Sequence, residues 1–342
     1  MSKLIYDKAE LLSTIDRIVK RTEMMDLSWD WPCGVAYYGI SKAYEATKNE
    51  EYLNFLKERI DELISLGLPT WTINTCAMGH SLITLYQATN DKKYYEILLS
   101  KIDFLKHKAL RFGSGTLQHT VSSKNDFPEQ AWADTLFMAA FFMLRFGVIS
   151  EDKELINDAL NQYVAHIKYL QDKQTGLWYH GYNNIQKDHM SSFYWARANA
   201  WASYTMSQVN LTLPEAYFYP QYMDVWGSLD EMLCSLKFYQ TENGLFRTIL
   251  DDETSYEELS ASAGIAASFL ENKNPLHLKY VNKAYKGILP YIDESGKVNG
   301  VSAGTAVMKD STGYKQISRV WIQGWGQGLV LAFFSALLTS NL

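Results

Sequence analysis

One turn occurs twice in this chain, and it fixes the kind of fold available. The segment YEATKNEEYL at 44–53 returns as YQATNDKKYY at 86–95. Each copy joins a helix of small and apolar residues to a more polar, amphipathic one. The first pair is GVAYYGISKAYEATKNEEYLNFLKERIDELI and the second NTCAMGHSLITLYQATNDKKYYEILLSKIDFLKHK. Comparable pairs run over 134–171, 197–240 and 260–292. An amphipathic helix at about Lys8–Glu23 opens the chain and a small-residue helix, GQGLVLAFFSALL, closes it. That makes twelve helices. Strand alternation is scarce, and only 7 prolines interrupt the helical period. A helix that is apolar all round is a buried one. The small-residue helices are therefore the inner members and the amphipathic ones the outer members of each pair.

A second repeat marks the connections. Glycine-led segments stand at 115–119 (GTLQH), 176–180 (GLWYH), 244–248 (GLFRT) and 296–300 (GKVNG). In a ring of hairpins they all fall on one face. The expectation is an all-α fold, an (α/α)6 barrel of six helical hairpins, spanning 1–342 as one catalytic domain. An open α-solenoid is the alternative. The unpaired first and last helices are complementary halves, which argues for closure. Concave sites lie at the mouth of such a ring, among the glycine segments and the N-termini of the inner helices.

Charge and motif content exclude several classes. The formal net charge is −6, without the basic face a nucleic-acid binder needs. No run of about 18 apolar residues is present, so no membrane span is expected. Cys33, Cys76 and Cys234 are isolated from one another and from the scattered histidines, and no zinc spacing results. Few, unframed cysteines suit a reducing compartment. The N-terminus has acids early and no long apolar core, unlike a signal peptide. The expected location is cytoplasmic. GWGQGLV at 324–330 follows no strand and is no dinucleotide loop, and no P-loop, GxSxG or HExxH occurs.

Asp134 is the residue that asks for an explanation. It sits in AWADTLFMAA, at the start of the third inner helix, among apolar neighbours. An ionised carboxylate is costly to bury without partners. The helix N-terminus favours its charged form, while Trp132 and the apolar flank oppose it. A carboxyl so balanced can exchange protons near neutral pH; the plainer reading is a carboxylate that satisfies helix donors. His119 and His180 end equivalent glycine segments. FYWARANAW at 193–201 places Trp195, Arg197 and Trp201 at the start of the fourth inner helix. Arg197 either grips a ligand carboxylate in bidentate fashion or pairs with an internal acid. WDWPCGVAYYG at 29–39 adds Trp29, Trp31, Tyr37 and Tyr38 at the first inner helix, as pocket walls or as an aromatic core layer.

At these residues the chain resembles glycoside hydrolase family 105, the unsaturated rhamnogalacturonyl hydrolases, and more distantly the unsaturated glucuronyl hydrolases of family 88. The matching pieces are WDWPCGVAYYGI, NTCAMGHSLITLYQAT, EQAWADTLFMA, GLWYHGY, FYWARANAW, YEELSASAGIA, SAGTAV and GQGLVLA. They come in family order over nearly the whole chain, and the family fold is an (α/α)6 barrel. The resemblance implies an enzyme that removes a Δ4,5-unsaturated uronic acid from the non-reducing end of short oligosaccharides, with no metal or cofactor. It implies Asp134 as general acid and base. His180, Arg197, Trp195, Trp201, His119, Asn74, Tyr37 and Trp132 are implied as the residues that hold the unsaturated sugar. Two departures stand out: Asn74 where members often carry a second aspartate, and Ala198 and Ala200 where they carry glycines, two methyls expected to narrow the pocket floor. The rival readings are a sugar epimerase on the same barrel, which needs paired histidine bases, and a non-catalytic oligosaccharide binder.

Overall fold

The computed structural model describes residues 3–342. Helix α1 (Lys8–Glu23) starts at Asp7, whose carboxylate accepts the Glu10 N–H. The repeated turn then shows its mechanism. Helix α2 (Trp31–Thr47) ends at Lys48 in the left-handed conformation, and Asn49 caps α3 (Glu50–Ser65) through the Glu51 N–H. Helix α4 (Gly79–Thr89) ends at Asn90, also left-handed, and Asp91 caps α5 (Lys92–His107). One left-handed residue reverses the chain and the next caps the new helix.

Strands β1 (Arg111–Phe112) and β2 (Thr116–Leu117) pair antiparallel. Strand β3 (Gln130–Trp132) leads into a π-helical stretch, Leu136–Phe141, and then α6 (Phe142–Ile149). An ordinary α-helix was expected over this stretch. π-helical turns are rare and concentrate at functional sites. Helix α7 (Lys153–Leu170) follows, capped by Asp152. Strand β4 (Gly181–Asn183) pairs with β3. Helix α8 (Ala196–Ser207), the short α9 (Val209–Thr212) and α10 (Tyr222–Leu236) form the fourth hairpin. Strands β5 (Phe246–Arg247) and β6 (Glu257–Glu258) precede α11 (Leu259–Glu271) and α12 (Leu278–Ile288). A five-residue helix, α13 (Ser311–Lys315), interrupts the connection to α14 (Gly324–Thr339). Nothing in the helical period announces α13.

Inner and outer helices differ as the sequence pattern requires. Every residue of α8 is buried, whereas α3 buries only Tyr52, Leu53, Leu56, Ile60 and Leu63, a stripe at helical spacing. The ring closes where α14 crosses α2 at backbone contact. A Cβ on Gly39 would stand 2.5 Å from the Gly328 Cα, and one on Gly328 would stand 2.0 Å from the Val35 carbonyl oxygen. Gln327 ties the closing helix to the opening one: its Nε2 donates to Thr22 Oγ1 at 3.1 Å and to the Gly296 carbonyl at 3.1 Å. The N-termini of the inner helices and the three strand pairs share one end of the barrel, the expected mouth. No helix among the described residues is long and apolar enough to cross a membrane.

Candidate active site

The pairing of β3 with β4 brings two distant sequence segments together. Trp132 lies opposite Gly181, and the Ala133 N–H donates to the His180 carbonyl at 3.0 Å. The next residue on one side is Asp134 and the preceding one on the other is His180. His180 Nε2 consequently stands 3.3 Å from Asp134 Oδ2. Neither atom makes an aligned hydrogen bond to any protein group. His119 arrives from a third segment: its N–H donates to the Gln130 carbonyl at 3.0 Å. Its ring stacks on Trp132 with centroids 4.5 Å apart, and its Nδ1 meets Thr135 Oγ1 at 3.0 Å.

Asp134, His119 and Trp132 face a cavity of about 220 Å³ at the mouth, while His180, expected to hold the sugar, is fully buried beside Asp134 and does not line it. Asn74, Trp195 and Arg197 line it as well. Pockets for drug-sized ligands occupy roughly 300–1,000 Å³, so this one suits a single ring. Asn74 sits on a 3-10 turn held by the Thr120 carbonyl, which accepts the Asn74 N–H at 3.2 Å. Planar groups pack behind and beside the cavity wall. The His180 ring lies 4.0 Å from the Trp195 ring, the Arg197 guanidinium 4.6 Å from the same indole, and Trp325 stacks on Trp31 at 4.3 Å.

Arg197 answers the question its position raised. Its Nη1 donates to Ser302 Oγ at 2.7 Å and to the Ser302 carbonyl at 3.0 Å, and its Nη2 donates to the Ala303 carbonyl at 2.8 Å. Glu258, fully buried, stands 3.5 Å away. The internal acid is thus Glu258, not Asp134, and the guanidinium braces the 302–306 wall of the cavity while its charge is felt at Asp134.

Burial pushes the Asp134 carboxyl up, but His180, His119 and Arg197 together pull it down further, leaving it below its ordinary value. Burial depresses His119 to about 4 against the opposing pull of Asp134. His180 also falls below its ordinary value, burial outweighing its carboxylate partner. At neutral pH an ionised aspartate therefore stands beside two neutral imidazoles.

Two further expected residues are placed elsewhere. Tyr37 is fully buried between α2 and α3, edge-on to Phe55 at 5.7 Å, because its position on α2 faces the outer helix. Trp201 lies one helical turn deeper than Arg197 and packs on Phe137 at 5.0 Å, in the core. The Ala200 methyl meets Gly264 of α11, where an added Cβ would stand 2.9 Å away, so it fills a helix crossing and not the pocket floor. Trp31 is a pocket wall, one of the two places its motif allowed, whereas Met138, Phe127 and Gly304–Ala306 line the cavity without having been singled out. The SAGTAV match was the available signal for the last group.

A larger cavity of about 380 Å³ opens at the opposite end of the barrel. Two of its cations share one partner: Lys42 lies 2.6 Å from Glu45 and Arg145 3.7 Å from the same carboxylate. No histidine lines it.

The sequence model of Glycosyl Hydrolase Family 88 matches residues 10–340. The chain belongs to that family. Among curated relatives, the chain is 49% identical to the unsaturated rhamnogalacturonyl hydrolase YesR of Bacillus subtilis strain 168, over 100% of this chain and 98% of that one. Among solved structures, a possible member of the GH105 family from Klebsiella pneumoniae superposes with a TM-score of 0.92 at 25% identity, covering 99% of this chain and 95% of that one. The unsaturated glucuronyl hydrolase of Bacillus sp. GL1 shares the fold, with a TM-score of 0.72 at 17% identity over 95% of each chain. The barrel anticipated from the repeat is therefore the barrel of this family, and the chain is a glycoside hydrolase.

Proposed function

We propose that this family 88 protein removes a Δ4,5-unsaturated uronic acid from the non-reducing end of short, lyase-made rhamnogalacturonan oligosaccharides. The whole chain acts as one catalytic unit, in the cytoplasm, on imported products. The observation that carries this reading is a one-ring cavity with a single carboxylate, Asp134, in its wall. Ordinary glycosidases flank the scissile bond with two carboxyls, roughly 5–10 Å apart. Hydration of a double bond needs only one.

In this reading Asp134 protonates C4 of the enol ether. Water adds at C5 and its proton returns to Asp134. The resulting C5 hemiketal opens to a ketone, and the freed C1 hemiacetal expels the neighbouring sugar as an alcohol. Asp134 must be protonated to begin. The substrate supplies the reason: its own carboxylate enters beside Asp134, and like charges raise a carboxyl pKa. His119, Asn74 and Trp132 hold the ring; His180, between Trp195 and Asp134, aligns the acid. Arg197 contributes positive potential at Asp134.

The reaction run in D2O tests the route. One solvent deuteron appears at C4 of the released keto-uronate by NMR. Persistence of the C4=C5 double bond in the released sugar, seen as an unchanged vinyl signal, would mean attack at the anomeric carbon and would end this reading.

A further inference from the structure

Tyr314 takes no direct part in the chemistry above, yet it reaches the site from α13. Its hydroxyl is buried 2.9 Å from His180 Nδ1 and 3.2 Å from Ser191 Oγ, and it accepts the Met308 N–H at 3.3 Å. A phenol has one proton to give. The other face of His180 bears on where that proton goes. Nε2 stands 3.3 Å from Asp134 Oδ2. A ring lone pair beside an ionised carboxylate is disfavoured, which biases the hydrogen toward Nε2 without by itself fixing it there. A neutral imidazole protonated at Nε2 has a bare Nδ1 that accepts, and Tyr314 is the donor within reach. The shorter of its two hydroxyl contacts agrees.

We propose that Tyr314 is a positioning residue that locks His180 in the Nε2–H tautomer, so that the ring presents a donor to Asp134 and holds the carboxyl acidic until substrate arrives. The role given to Asp134 rests on the proposed function; the tautomer does not. Burial pushes the Tyr314 hydroxyl up to about 12, so it remains a donor throughout the working range. The other charged and titratable groups facing the pair are His119 from the 115–119 segment and Arg197 from α8, with Glu258 behind Arg197. None of them touches Nδ1. Replacing the phenol hydroxyl leaves all of them in place. It frees the ring to carry its proton on Nδ1, and a bare Nε2 then favours the protonated form of Asp134.

Nitrogen-15 NMR of the ligand-free full-length protein at pH 7 reads the tautomer directly. Wild type is expected to show His180 protonated at Nε2. In Tyr314→Phe the His180 signals move toward the Nδ1–H form, and the alkaline limb of kcat/KM on an unsaturated rhamnogalacturonan disaccharide moves up by about one pH unit. Ser191→Ala, which removes the competing acceptor, keeps the wild-type signals and limb. An Nδ1–H tautomer in wild type overturns the proposal, even if Tyr314→Phe does not fold. Unmoved signals and limb in a folded Tyr314→Phe overturn it too. Loss of turnover on that disaccharide with the Nε2–H tautomer intact would instead count against the substrate reading alone.

Discussion

The carboxylate of Asp134 is held ionised by His180, His119 and Arg197 against the effect of its own burial. Its folded-state pKa lies below the ordinary 3.8, so as pH rises above that value the free enzyme loses the protonated acid tenfold per unit. A bound uronate carboxylate reverses part of the shift. The alkaline limb of kcat is therefore expected at higher pH than the limb of kcat/KM, since the first reports the complex and the second the free enzyme. Coincident limbs would mean that substrate charge does not tune the acid. Asp134 was legible in the sequence because a carboxylate in an apolar helix start is costly, and the histidines because they end equivalent segments. Tyr314 was not. It lies 134 residues from His180, on a five-residue helix with no period of its own. Tyr37 and Trp201 were misplaced because motif membership says which helix a residue is on but not which face or depth it occupies.

The hairpin turn carries most of the information at the scale of elements. Lys48, Asn90, Glu151 and Lys273 all adopt positive φ, and each is followed by an Asn or Asp: Asn49, Asp91, Asp152 and Asn274. The pattern is visible as text because two adjacent residues do both jobs, reversal and capping. Asp152 shows the energetic side. Its carboxylate accepts the Leu155 N–H at 3.0 Å, and that bond leads the forces that lower its pKa, with Lys106 adding to it. A depressed carboxylate contributes stability above its unfolded value of 3.8, and the contribution is lost as pH falls through the lower folded value. Asp152→Ala is expected to cost about 1 kcal/mol at pH 7, with a smaller cost at pH 3, by urea unfolding at both pH values. What the elements did not reveal is the π-helical stretch after Asp134. Nothing in LFMAAF distinguishes an i+5 from an i+4 ladder, because side chains pack all round either one.

Closure is the property of the whole molecule that makes a cavity out of separate loops. The mouth segments come from all over the chain, and they converge only because α14 returns to α2. The twelve-helix count anticipated this, since an amphipathic helix at one end and an apolar helix at the other complete each other. The contact itself was invisible: two glycines 289 positions apart give no local signal. Gly328→Ala is expected to push a methyl against the Val35 carbonyl oxygen, 2.0 Å from the new Cβ. Overpacking of this kind costs about 1–3 kcal/mol or more, read as a lower urea midpoint together with weakened turnover. A wild-type midpoint would show that closure tolerates separation of the two helices. The central claim, that one carboxylate in a closed one-ring cavity hydrates a double bond, meets its most direct test in the ultraviolet. The absorbance of a Δ4,5-unsaturated rhamnogalacturonan disaccharide is followed with wild type and with Asp134→Asn. The account predicts that wild type abolishes the absorbance and that the variant is slower by about 10²–10⁴-fold. Equal rates for the two proteins, or absorbance retained while wild type splits the disaccharide, would contradict it.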